Sequence, residues 1–298
     1  MLRGERMREI TSELVRAWLP ESEDNSYKGT YGRVLLIGGS SQMTGAIILV
    51  ARACVHAGAG LTTVATHLSG FSAIHSAQPE IMCVDMHDTD ALTGQINVAD
   101  TILIGPGLGR SPQAKAVFQH TWETVSSHQT FIIDADGLYY YAQLDHQVHP
   151  AQLILTPHLG EWERITGLAP DVQDLSQNET WRAQLDATIV LKQHRTEVYC
   201  SDHIWTNTAG NPGMATGGMG DTLAGIIAGL SGQYIQLNRA ILSAVFLHST
   251  IADELYRTQY VVLPSRLIDA IPETMRSLHV SSTTVKPANY SLWSETPR

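Results

Sequence analysis

A chain of 298 residues with 43% hydrophobic and 16% charged content has the balance of a globular protein with a sizeable core, in one large α/β domain or two smaller ones. Its formal net charge of −10 excludes long-range attraction to nucleic acid or anionic lipid, so any phosphate ligand must be held by local N–H groups and a few cations. Cys54, Cys83 and Cys200 form no CxxC pair, no apolar run is long enough to span a bilayer, and the charged start Met1-Leu2-Arg3-Gly4-Glu5-Arg6 has no signal-peptide character, so a cytoplasmic protein with no membrane partner is expected.

Ile10, Leu14 and Ala17-Trp18 predict a short helix that begins near Thr11 or Ser12 and stops at Pro20. Residues 28–32 read as a turn. Residues 33–37 read as a buried strand ending in Gly38-Gly39, and residues 46–57 follow as a helix with Ile47, Val50, Ala51, Cys54 and Val55 on one side. Strand, glycine turn, helix is the entry to a parallel α/β sheet, in which ligands gather where strands end. Gly38-Gly39 reads equally as a tight turn or as a ligand contact, and the small pair Gly45-Ala46 leaves room for a ligand. A strand at 61–66, a helix at 69–77 and an apolar run at 81–84 continue the alternation. The strand at 100–104 enters a second glycine loop, Gly105-Pro106-Gly107-Leu108-Gly109. Its GxGxG spacing and Pro106 argue against the dinucleotide fingerprint and leave a backbone that passes close to a ligand.

The strand at 130–133 ends in Asp134-Ala135-Asp136-Gly137. This string lacks the remaining oxygen ligands of a calcium loop and reads as a cap for a helix at 138–143, with a polar cleft wall as the alternative. The strand at 151–155 ends at Thr156-Pro157, and a helix begins near Glu161. His158, in the loop between, serves either packing and solvent or a ligand. Glu161 is either a first-turn residue favoured by the helix dipole or a carboxylate behind a hydrated magnesium ion. Residues 167–179 are polar and loop-like. A strand at 187–192, a bend at 193–196 and strands at 197–200 and 204–206 form an antiparallel tail. Its Lys192 and Arg195 are either the local cations of a nucleotide phosphate or a solvated hairpin tip.

This tail delivers the chain to residues 207–213, rich in Gly, Pro and Asn, and then to Thr216-Gly217-Gly218-Met219-Gly220-Asp221-Thr222-Leu223-Ala224-Gly225. Leu223, Ile226, Ile227 and Leu230 form a stripe at helical spacing. A glycine turn that feeds a helix is an anion cradle, with unpaired N–H groups and the positive end of the dipole facing out. Asp221 is the odd member. It is either an N-cap or a general base for a hydroxyl attacking phosphorus. Residues 239–255 form another helix with His248 as a core histidine, and a shorter helix ends near Met275. The thirteen histidines show no pairing with Cys or Glu at metal spacing. The alternation predicts a single domain over 1–280, a mostly parallel sheet with helices on both faces, and a polar tail at 281–298.

Residues 216–225 resemble the anion-hole signature of the ribokinase-like superfamily, and Thr156-Pro157-His158-Leu159-Gly160-Glu161 stands where its sugar and vitamin kinases carry a TPNxxE-type segment. The fuller set is residues 28–40 with Gly45-Ala46, then 105–109, 134–138, 156–161, 191–196 and 207–225. In this order it is similar to the ADP-dependent NAD(P)H-hydrate dehydratases, in their stand-alone form; Gln193 departs from the glycine common there. The resemblance implies an α/β ribokinase-like three-layer sandwich and a lyase of nicotinamide-nucleotide repair. Such an enzyme phosphorylates the hydroxyl of the S form of hydrated NADH or NADPH from ADP, leaving AMP, and then eliminates phosphate. It further implies Asp221 as base and Gly217, Gly218, Met219 and Gly220 as anion hole. Lys192, Gln193, His194, Arg195, Thr196 and Gly220 would bind the adenylate. Ala46, Gly107, Gly109, His158 and Asp221 would meet the hydrated dinucleotide. Magnesium carried between phosphate oxygens, with Glu161 as an outer-shell contributor, and a homotetramer complete the expectation. The alternative is a kinase of the same superfamily, such as a hydroxyethylthiazole kinase, which would use the same cradle and base.

Overall fold

The computed structural model describes residues 7–20, 25–144, 146–234 and 236–280; the polar stretch 281–298 lies outside them. The chain opens with β1 (Met7–Glu9), α1 (Ser12–Trp18), β2 (Arg33–Ile37), α2 (Thr44–His56), β3 (Leu61–Thr66), α3 (Phe71–Ala77) and β4 (Met82–Asp85). It continues through α4 (Thr89–Val98), β5 (Thr101–Ile104), α5 (Pro112–Thr124), β6 (Thr130–Ile133), α6 (Asp136–Tyr141), β7 (Gln152–Leu155) and α7 (Leu159–Thr166). Then come α8 (Leu175–Leu185), β8 (Ala187–Leu191), β9 (Glu197–Tyr199), β10 (Ile204–Thr206), α9 (Met219–Ser231), α10 (Leu237–Tyr256) and α11 (Pro264–Val280).

All of these strands join one sheet in the order β1-β10-β9-β8-β7-β6-β5-β2-β3-β4. From β8 to β4 every pairing is parallel, and β9 runs antiparallel to both β8 and β10. Side chains on a strand alternate between faces, so a strand buried on both sides reads as a continuous apolar run. In β2, Val34 and Leu36 pack with α1, α2, α9, α10 and α11, whereas Leu35 and Ile37 pack with α4 to α8. Two cores flank the sheet and give the expected three layers. No described helix is long and apolar enough to cross a membrane.

The most extensive helix crossing in the first core is that of α2 and α9. A Cβ on Gly225 would press on the Val50 carbonyl and stand 2.8 Å from Ala53 Cβ. Glycine here serves close approach, and this crossing sets the depth at which α9 begins.

Three expectations change. Residues 167–179 are not all loop: α8 starts at Leu175, capped by Asp174, whose carboxylate accepts from the Ser176 and Gln177 N–H groups. Its buried residues are Leu185 at the far end and, near the start, Asn178, which accepts from the Trp162 indole at 2.8 Å and donates to the Tyr199 hydroxyl at 3.0 Å. A helix anchored by a polar side chain offers little hydrophobic periodicity. The Asp134–Gly137 string is not a side-chain cap, because the cap position of α6 is Ala135 and no side chain bonds there. Strand β1 was not expected, since all of its residues are exposed on the sheet edge.

Gly225→Val should lower stability by about 1–3 kcal/mol, because α2 and α9 cannot separate without disturbing both cores. Gly94→Ala, on the exposed face of α4 with nothing within 4 Å of the added methyl, should instead gain roughly 0.5–1 kcal/mol. Urea midpoints of the two variants give the comparison.

Candidate active site

Strands β8, β7, β6, β5 and β2 are neighbours and parallel, so their C-terminal loops meet at one edge. The loops after β2 and β5 are zipped together: the Gly39 N–H donates to the Pro106 carbonyl at 2.9 Å and the Ser40 N–H to the Gly107 carbonyl at 2.6 Å. A Cβ on Gly107 would lie 3.2 Å from the Ala46 Cβ, which places these two positions side by side. Asp136 holds the glycine loop from the next strand. Its carboxylate accepts from the Gly109 N–H at 2.9 Å and from Arg110 Nε at 3.0 Å.

Residues 217–220 pass into α9 over the same edge. Gly218 is the cap residue at φ 93°, a left-handed conformation, and a Cβ there would strike the Leu49 side chain. The first backbone bond back into this turn runs from the Thr222 N–H to the Gly218 carbonyl at 2.9 Å. The N–H groups of Met219, Gly220 and Asp221 therefore point out of the helix start without a helix partner. Asp221 is the third residue of α9, not its cap, and no described residue donates a hydrogen bond to its carboxylate.

Lys192, just past β8, is the centre of the cluster. Its Nζ is 2.7 Å from Asp134 Oδ1, with the lysine side chain 20% and the aspartate 1% exposed. A Cβ on Gly220 would lie 3.3 Å from the same Nζ, so the ammonium stands at the mouth of α9. Burial pulls the Lys192 pKa down, but Asp134 and Glu161 outweigh it and hold the group above its ordinary value. Asp221 moves the other way. Burial and the nearby Asp134 charge push it up to about 6, against the opposing pull of Lys192. Burial likewise raises Glu161.

His158 is the N-cap of α7 and forms a capping box with Glu161. Its Nδ1 accepts from the Gly160 and Glu161 N–H groups, and its own N–H donates to Glu161 Oε2 at 2.8 Å. The ring remains 60% exposed at the site edge. A parallel bridge pairs His158 with Lys192, and the Lys192 N–H donates to the Pro157 carbonyl at 2.8 Å. Among the described residues no group of three or more His, Cys, Asp or Glu could hold a metal ion. With Glu161 engaged in the box and Asp134 on Lys192, this donor set fits a cation held mainly by a ligand's oxygens.

A cavity of 350 Å³ opens beside the cluster, lined by Lys192, Gln193, His194, Thr196, Gly220 and His248, among others. Its size falls within the range of small-molecule sites. Arg195 is exposed at the bend and does not line it. A larger cavity, of 710 Å³, opens at the other end of the sheet against Gln152 and Ala187, the first residues of β7 and β8, remote from this cluster. Asp134, Asp136 and His248 are site features that the sequence reading had placed in structural roles. Acidic residues directly after a buried strand were the available signal for the first two.

Parallel strands, three layers and a glycine-fed helix start define a ribokinase-like α/β protein. A solved structure from Enterococcus faecalis described as a ribokinase-like superfamily protein shares 40% identity and a TM-score of 0.90, covering 93% of this chain and 98% of that one. The chain belongs to the NAD(P)H-hydrate dehydratase family, whose sequence profile matches residues 34–273. The ADP-dependent (S)-NAD(P)H-hydrate dehydratase of Staphylococcus aureus is 45% identical over 260 residues, or 87% of this chain and 94% of that protein. An ADP/ATP-dependent NAD(P)H-hydrate dehydratase from Bacillus subtilis, co-crystallized with ATP and Mg2+, is 30% identical with a TM-score of 0.81, covering 92% and 99% of the two chains. The family match favours the dehydratase over the kinase alternative.

A carboxylate whose pKa rises from 3.8 unfolded to about 6 folded costs stability where both states are ionised. That cost is full above pH 6, shrinks as the folded group takes up its proton, and vanishes below the unfolded value. Asp221→Asn should therefore raise stability at pH 8 by on the order of 1–3 kcal/mol. The gain should fade between pH 6 and pH 4. Denaturation of both proteins across this range measures it, and a gain that grows on acidification would contradict the assigned environment.

Proposed function

We propose that the protein catalyses ADP-dependent dehydration of the S form of hydrated NADH or NADPH, restoring the reduced nucleotide and giving AMP and phosphate. The relatives support the substrate. The step itself rests on one observation above the others: an Asp221 carboxylate with no hydrogen bond from a described residue, beside the outward N–H groups of α9 and the Lys192 ammonium.

In this reading Asp221 takes the proton of the ring hydroxyl as the hydroxyl oxygen attacks the terminal phosphorus of ADP. The new oxygen–phosphorus bond forms while the bond to AMP breaks. The amides of Gly217, Gly218, Met219 and Gly220 stabilise charge on the moving phosphoryl group, as preorganised donors do. Loss of phosphate from the ring carbon, with a proton from the adjacent carbon, returns the double bond. A base with a pKa of about 6 is ionised at neutral pH and still basic enough to draw a proton in the transition state.

The adenylate would occupy the cavity lined by Lys192, Gln193, His194, Thr196 and Gly220, with Arg195 approaching from its rim. Ala46, Gly107 and Gly109 would take the hydrated dinucleotide, with His158 closing its other side. Magnesium, when bound to phosphate oxygens, would neutralise their charge, and Glu161 would receive its water ligands. Homotetrameric assembly and a cytoplasmic location, both implied by the resemblance and the sequence, belong to the same proposal.

Mixing the protein with hydrated NADH and ADP should restore the reduced-nicotinamide absorbance. The acid limb of kcat/KM should titrate near pH 6 through Asp221. Asp221→Asn should lose about 10²–10⁴-fold in turnover while keeping its fold. Near-normal turnover in this variant would remove Asp221 from the chemistry, and a stable phosphorylated product would return the kinase reading.

A further inference from the structure

His248 stands at 6% exposure on α10, next to buried Ser249 and among the apolar Ala244, Val245, Leu247, Ile251 and Ala252. As a core histidine it is satisfied on one side, with Nε2 3.1 Å from the Met219 carbonyl. That carbonyl only accepts, so the proton of this bond lies on Nε2. Met219 is the first residue of α9 and the middle of the amide turn described above. The other ring nitrogen, Nδ1, receives no hydrogen bond from any described residue, and the histidine lines the same cavity as Lys192, Thr196 and Gly220. Burial drives the His248 pKa down to about 4 and the Lys192 charge opposes protonation further, so the ring is neutral and Nδ1 is a bare acceptor.

We infer that His248 is a nucleotide-binding and positioning residue: its Nε2–H fixes the Met219 carbonyl at the start of α9, and its Nδ1 accepts from a hydroxyl or amino donor of the adenylate. Nucleotide seating and the geometry of the amide turn are then joined through one neutral ring. The inference rests on the cavity being the adenylate site, as in the proposed function.

Calorimetric titration of the full chain with ADP and with AMP tests it alongside steady-state kinetics. His248→Phe removes both contacts and should weaken each nucleotide about tenfold and lower kcat as well. His248→Gln can still donate to Met219 from its amide but leaves no acceptor at the Nδ1 position. It should show the same about tenfold loss of ADP affinity with kcat largely retained. Nitrogen-15 spectra of the ring should show the Nε2–H tautomer and a shift of Nδ1 alone when AMP is added. Folded variants with wild-type affinity for ADP and AMP, or an Nδ1 signal unmoved by AMP, would overturn the assignment and leave His248 as packing. The titration does not depend on turnover. Wild-type protein that binds ADP but leaves hydrated NADH unchanged would sink the dehydratase reading while the affinities still decide His248, and wild-type protein that binds neither nucleotide overturns both.

Discussion

One ammonium group organises the active edge. Lys192 Nζ reaches Asp134, which is 58 residues away in sequence, at 2.7 Å, and stands where the first turn of α9 opens. The pair ties the ends of β8 and β6 together across β7, and the bridge between Lys192 and His158 ties in β7 itself. Breaking a buried pair by removing one partner generally costs about 3–5 kcal/mol, because the other charge is left without compensation. In a chain of net charge −10, and with Asp134, Glu161 and Asp221 all close to this ammonium, attraction for a phosphate falls to the positive pole of the helix start beside it.

The same pole explains why a carboxylate can be tolerated next to a phosphate site. Asp221 has no hydrogen bond from any described residue to hold it and has acidic neighbours in Asp134 and Glu161, so its charge is costly. Lys192 offsets part of this cost without pairing with Asp221 directly. An acid in such a place is poorly explained as a helix cap, since the cap position belongs to Gly218. As the proposed base, it has a proton affinity raised by burial.

Much of this edge was legible in the sequence because its parts are local. A glycine run before an apolar stripe at helical spacing marks the start of α9, and apolar runs ending at Gly38, Gly105 and Pro157 mark the strand ends that gather there. The long-range pairings were not legible. Nothing near Asp134 announces Lys192, and nothing near Asp136 announces that it holds the Gly109 amide, because both bonds exist only once the strand order is fixed. The start of helix α8 was read as loop because its buried anchor there, Asn178, works by hydrogen bonds to Trp162 and Tyr199 rather than by hydrophobic contact. His248 was read correctly as buried, but only one ring nitrogen is bonded; that it borders the cavity follows from the packing of α10 on α9, which periodicity does not encode.

The central claim is a geometric one: a free carboxylate and a ring of outward amides share one phosphorus atom. A crystal structure of the protein bound to ADP tests it most directly. The account predicts the terminal phosphate on the amides of residues 217–220, beside Lys192 Nζ, with an Asp221 oxygen facing the side from which a hydroxyl would attack. A terminal phosphate seated away from α9, or an Asp221 carboxylate turned onto backbone with no path to it, would contradict the account.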